Sequence, residues 1–261
     1  LIKKGSDKIM IINCNSFESS LGTISEYYNV SSEEILKTLR DFDMDEYYKK
    51  NNYEQTGDRL LYKIFNEKFS DRREITEIHW FHLTRMPLNE KFKGSIKPLG
   101  GQIEQIWEFL YLLAKDFISE TNWNDFKNKI SNIGHSGFLY KLKASNSMHW
   151  GPYAMLIKEV AFRASEIRNH DYLKSPEIIE DICHAFESRY KVDLLKIYSQ
   201  STVPCIVHFR SNDTDYHVIE PILFYLYKVI HNEKFSVYSN TCFDGKGREV
   251  PASDVLKIEL V

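Results

Sequence analysis

The sequence predicts an α+β protein, with an N-terminal helical subdomain followed by a mixed sheet core with flanking helices. Apolar residues recur at helical spacing from Ser16 to Phe69. Strand-like runs gather near Ile75 and again after Val203, and the helices stand before and between them without regular βαβ alternation. These observations divide the chain into a helix-turn-helix-like subdomain over residues 1–72 and an α+β catalytic domain over 73–261. A length of 261 residues suits that division, at roughly 100–200 residues per domain.

In the first part, Leu21, Ile24, Tyr27 and Tyr28 mark one helix. The run from Val30 to Glu34 then offers a Ser cap with acidic residues in the first turn, ahead of Ile35, Leu36 and Leu39. A third helix is expected from Asp58 to Phe69, and Asp41 to Gly57 reads as a solvated connection or a frayed helix. A helix-turn-helix can lay its second helix in the major groove, but Glu33 and Glu34 stand where that helix would meet phosphate. The charge has the wrong sign for DNA, so partner docking is the expected role of this subdomain.

Beyond Glu74 the pattern changes. Ile75 to Leu83 alternates like a strand, and Gly94 to Gly101 is turn-rich. Helices are expected over Gln102–Ile118 and Trp123–Ile130, and, after a Gly-rich stretch from Gly134 to Gly137, from near Pro152 to about Arg168 and over Pro176–Tyr190. Val203–Arg210, Phe235–Phe243 and Val255–Val261 fit strands, and Val218–His231 fits a helix. Asp244-Gly245-Lys246-Gly247 is a hairpin signal.

Composition narrows the function. Lys and Arg number 34 against 37 Asp and Glu, a net charge of -3, so no overall positive field draws the chain to nucleic acid or anionic lipid. No apolar run approaches the roughly 20 residues of a membrane span. The first residues lack both a signal-peptide apolar run and an initiator Met, and the four cysteines are scattered with no Cys-x-x-Cys pair. A cytoplasmic location is therefore expected, with no membrane partner. P-loop, Rossmann, serine-elbow and zinc-protease motifs are absent, and no His, Asp or Glu cluster has metal-ligand spacing.

The segment His79-Trp80-Phe81-His82-Leu83-Thr84-Arg85 is the most pointed. In a strand His82 and Thr84 share a face about 7 Å apart, with the Arg85 cation just beyond. Such groups suit a ribose and its phosphates. His82-Leu83-Thr84, followed by Gly94-Ser95-Ile96-Lys97-Pro98 and a helix, resembles the opening motif of the ADP-ribosyltransferase superfamily. That resemblance implies an ADP-ribosyltransferase-like fold and NAD as substrate, with His82 and Thr84 on its ribose and Arg85 neutralising pyrophosphate. The usual middle residue is Gly, and Leu83 stands here. The resemblance also implies an aromatic residue stacked on nicotinamide, Tyr153 with Tyr140 as rival, and a carboxylate near the C-terminal strands that aligns the ribose 2′-hydroxyl, Glu249 with Glu220 in reserve. The acceptor, protein or nucleic acid, is left open, and an internal toxin or defence effector fits the expected location.

Two other classes stand beside this one. Arg163 and His170 lie seven positions apart, which on a helix returns both to one face, and the pair resembles the signature of HEPN-type ribonucleases that work without metal. A non-enzymatic interaction protein is the third expectation.

Overall fold

In the computed structural model, which describes residues 9–51, 54–88, 90, 92, 94–215 and 217–261, two serines open the first two helices by one device. After strand β1 (Met10–Ile12), Ser16 accepts from the Ser19 N–H and its own N–H donates to Ser19 Oγ at 2.8 Å, opening α1 (Phe17–Tyr27). Ser31 and Glu34 repeat the reciprocal pair at α2 (Ser32–Asp41). Each box satisfies N–H groups that a helix start otherwise leaves without partners. Asp43 then caps a short helix, α3 (Met44–Lys50), inside the stretch expected as a connection or frayed helix, and α4 (Gly57–Lys68) follows.

Strand β2 (Ile75–Pro87) runs four residues beyond the expected end at Leu83. It is followed by α5 (Ile103–Ala114), α6 (Glu120–Lys129) and α7 (Gly134–Ser145). The last begins in the Gly-rich stretch that reads as a break. Gly137 is there because a Cβ at that position would lie 1.9 Å from the Ile130 carbonyl oxygen, so its requirement is close packing and not a turn.

The helix expected from Pro152 to Arg168 does not form. Ala154 to Ile157 are all buried, which leaves no polar face for an amphipathic helix, and Tyr153–Met155 instead makes strand β3, with Met155 opposite Phe81. A single 3-10 stretch, Glu159–Arg163, is followed by turns, and Arg168 has a left-handed φ of 55°. Then come α8 (Glu177–Tyr190), α9 (Leu194–Ser201), β4 (Thr202–Ser211) and α10 (Ile219–Ile230). The strand expected over Phe235–Phe243 shrinks to β5 (Cys242–Asp244), because Ser236 caps a 3-10 turn at Val237–Ser239. The turn after β5 starts no hairpin: Gly245 and Gly247 donate to the carbonyls of Pro152 and Gly151 at 2.9 and 2.7 Å. The chain ends in β6 (Val255–Leu260).

The strands follow the order β5-β3-β2-β4-β6, with β1 parallel to β2 and β6 antiparallel to β4. The architecture is α+β with a mixed sheet. The chain forms two compact units, each assembled from three stretches: Leu1–Phe81, Met155–Asn169 and Arg210–Phe243 in the first, His82–Ala154, His170–Phe209 and Asp244–Val261 in the second. In the first unit α10 is the central element. From Ile219 to Tyr227 every residue but Glu220 is buried, and α4 comes so close that a Cβ on Gly57 would lie 2.6 Å from the Phe224 ring. Tyr28, Phe65 and Phe69 pack their rings beside it, with centroids within 5.7 Å of one another. In the second unit a cluster of Trp107, Trp123, Phe126 and Phe186 joins α5, α6 and α8, each side chain contributing about 2–3 kcal/mol through burial.

Candidate active site

Alternation along β2 sets the site's first wall. Phe81 and Leu83 are buried, while His82 and Thr84 are half-buried on the opposite face. Leu83, where the resembled family has Gly, therefore sends its side chain into the core and not toward the face that His82 and Thr84 share. His82 Nδ1 lies 2.8 Å from the Tyr153 carbonyl oxygen. A carbonyl only accepts, so Nδ1 carries the proton and Nε2 is left with a lone pair. Burial pushes the His82 pKa below the ordinary imidazole value, opposed by the bond to Tyr153, and the neutral ring is favoured. Among the described residues the Thr84 hydroxyl makes a single long contact, 3.5 Å to the Arg85 carbonyl.

Tyr153 opens β3. Its phenol donates to the Met148 carbonyl at 2.7 Å, and its ring is 38% exposed, enough for a planar group to lie against. Burial, then the charges of Asp244 and Glu177, raise its pKa, so the phenol keeps its proton.

Glu249 is exposed on the segment after the β5 turn. The next residue, Val250, exchanges both backbone hydrogen bonds with Ile96 at 2.9 Å, which ties the Glu249 segment to the loop that follows β2. Leu99 in that loop donates to the Trp150 carbonyl, and a Cβ on Gly100 would lie 2.6 Å from the Trp150 ring. The loops around residues 96, 150 and 247 are thus pinned to one another within the second unit. Trp150 is the residue that sequence reasoning missed. Its indole N–H is buried with no acceptor among the described residues, and its signal in sequence is a Trp between His149 and Gly151, just ahead of the helix expected from Pro152.

Arg85 is committed elsewhere. Its guanidinium donates to Thr202 Oγ1 at 2.8 Å and to the carbonyls of Leu173, Ser199 and Thr202, using four of the five N–H groups an arginine carries. It closes the C-terminal end of α9, where free carbonyls attract a cation. Tyr140 accepts from the Trp107 indole at 2.9 Å and packs in the aromatic cluster, and Glu220 of α10 lies 3.6 Å from His217 in the first unit.

The helix that would have carried Arg163 and His170 on one face is absent, so the geometric ground for that pair is lost. Arg163 lies over the Phe235 ring near Glu159 and Glu166, and His170 bonds the Ser175 carbonyl at 2.7 Å. Among the described residues no cluster of His, Cys, Asp and Glu could hold a metal ion, and no helix is long and apolar enough to cross a membrane. No family model, curated protein or solved structure matches the chain.

Proposed function

We propose that the second unit binds NAD and transfers its ADP-ribose to an acceptor, in the manner of the ADP-ribosyltransferases that the His82-Leu83-Thr84 segment resembles. The observation that carries this reading is the 2.8 Å contact of His82 Nδ1 with the Tyr153 carbonyl, which in the neutral ring leaves Nε2 as an acceptor on the strand face that Thr84 shares, beside the half-open ring of Tyr153. Nε2 accepts from a ribose hydroxyl, the Thr84 oxygen accepts from or donates to the same sugar, and the Tyr153 ring stacks on nicotinamide. Arg85, with most of its donors spent on α9, contributes its charge to the pyrophosphate and little direct bonding.

The bond from ribose C1′ to the nicotinamide nitrogen breaks, and its electron pair leaves with nicotinamide. The acceptor's lone pair forms the new bond at C1′, and its proton passes to solvent or a base. Positive charge builds on the ribose during this step, and Glu249, bonded to the 2′-hydroxyl, stabilises it. Incubation of the protein with labelled NAD and a cell lysate is expected to release nicotinamide and transfer label. A folded sample that does neither, across varied acceptors, overturns the reading. Loss of both activities in Glu249→Gln, with folding retained, identifies the carboxylate.

A further inference from the structure

Strand β6 closes the sheet order, with β4 along one side. Its residues pair antiparallel with β4, Leu260 opposite Cys205 and Ile258 opposite Val207, and the Val261 N–H donates to the Pro204 carbonyl at 3.1 Å. In an antiparallel ladder the backbone groups of alternate residues turn to alternate sides. Val261, Glu259 and Lys257 therefore face β4, and the N–H and C=O of Ile258 and Leu260 face outward. On this edge Leu256, Ile258 and Leu260 share one side of the strand and are 45%, 37% and 61% exposed. Exposed edges of this kind template the addition of another strand unless charge or a bulge blunts them. A bulge lies at Leu256, and the only charges in the strand are Lys257 and Glu259.

Those two charges point to the occupant. If two copies of β6 run antiparallel about a two-fold axis at Ile258, Ile258 faces its own copy and exchanges both backbone bonds with it. Leu256 then faces the partner's Leu260, and Lys257 faces the partner's Glu259 on both sides of the axis. The positions flanking the axis fall at non-hydrogen-bonded sites, where facing side chains are closest and opposite charges contribute most. We infer that β6 is a self-association edge, and that a second copy of this chain joins it there to continue the sheet. No other strand in the described residues combines an open edge with charges that match their own reversed order.

Analytical ultracentrifugation of the full 261-residue chain tests this. The wild-type protein dimerises. Lys257→Glu sets Glu against Glu at both flanking pairs and raises the dissociation constant about tenfold or more. Ile258→Pro removes an N–H that the ladder turns away from β4 and gives monomer with unchanged circular dichroism. A mixture of Lys257→Glu and Glu259→Lys chains restores opposite charges at every pair, so the mixed dimer forms where neither variant alone does. A wild-type protein that stays monomeric at every concentration, or variants that dimerise as well as wild type, overturns the inference. A mixture that stays monomeric while both variants are folded overturns the register.

Discussion

At the scale of single residues, His82 joins stability to the proposed chemistry. Burial lowers its pKa in the folded chain, so below the ordinary value of 6.5 the unfolded chain holds a proton that the folded one lacks. Its contribution is complete above about 6.5, is lost as pH falls through that value, and levels off once pH passes the folded pKa. His82→Asn, which can still donate to the Tyr153 carbonyl, is expected to flatten this part of the stability-pH curve measured by denaturant titration. Arg85 carries a different prediction. Replacement by Lys keeps the charge but cannot reach Thr202, Leu173 and Ser199 together, and is expected to cost about 1–3 kcal/mol in denaturant unfolding while changing the KM for NAD little. A large KM effect with unchanged stability would assign Arg85 to the substrate instead.

At the scale of elements, Gly137 shows how a residue type misleads when its reason is tertiary. Gly-x-x-Gly from Gly134 reads as a break, yet α7 starts there and takes in both glycines, because the glycine at 137 makes room for the Ile130 carbonyl. Gly137→Ala is expected to lower stability by about 3 kcal/mol, read as a lower thermal midpoint, since the obstacle is backbone that cannot rotate away. The N-terminal helices were legible because their signals are local: the spacing of Leu21, Ile24, Tyr27 and Tyr28, and the Ser cap ahead of Ile35, are read directly in sequence, whereas the cap at Ser16 was not. Strands β2, β4 and β6 were legible from alternation and β-branched content. The segment after Pro152 was not, because a run buried on every side fits helix or strand equally until its partner is known, and that partner, Phe81, is far away in sequence. His82 and Thr84 on one face followed from strand period alone. The contact of His82 with Tyr153, and the tie between the Glu249 segment and Ile96, depend on long-range pairing that no spacing rule reaches.

At the scale of the whole molecule, each of the two compact units is drawn from three stretches of chain. Helix α10, the most buried helix of the first unit, comes late in the sequence, and the N-terminal helices close their core only around it. The four cysteines report on this packing. Cys14, Cys183 and Cys205 are buried and Cys242 is exposed, with burial around its thiol raising its pKa. An alkylating reagent is therefore expected to modify one thiol in the native protein, slowly at neutral pH and faster as pH rises, and all four in denaturant. Rapid native modification of several thiols would contradict the packing of both units.

The claim on which the functional account turns is that His82 offers a neutral Nε2 to the ribose of NAD. Nitrogen NMR of the labelled imidazole reads it directly. The account predicts an Nδ1–H tautomer in the free protein and a shift of the Nε2 resonance on addition of NAD, absent when adenosine diphosphate without the second ribose is added. An Nε2 signal unmoved by saturating NAD would contradict it.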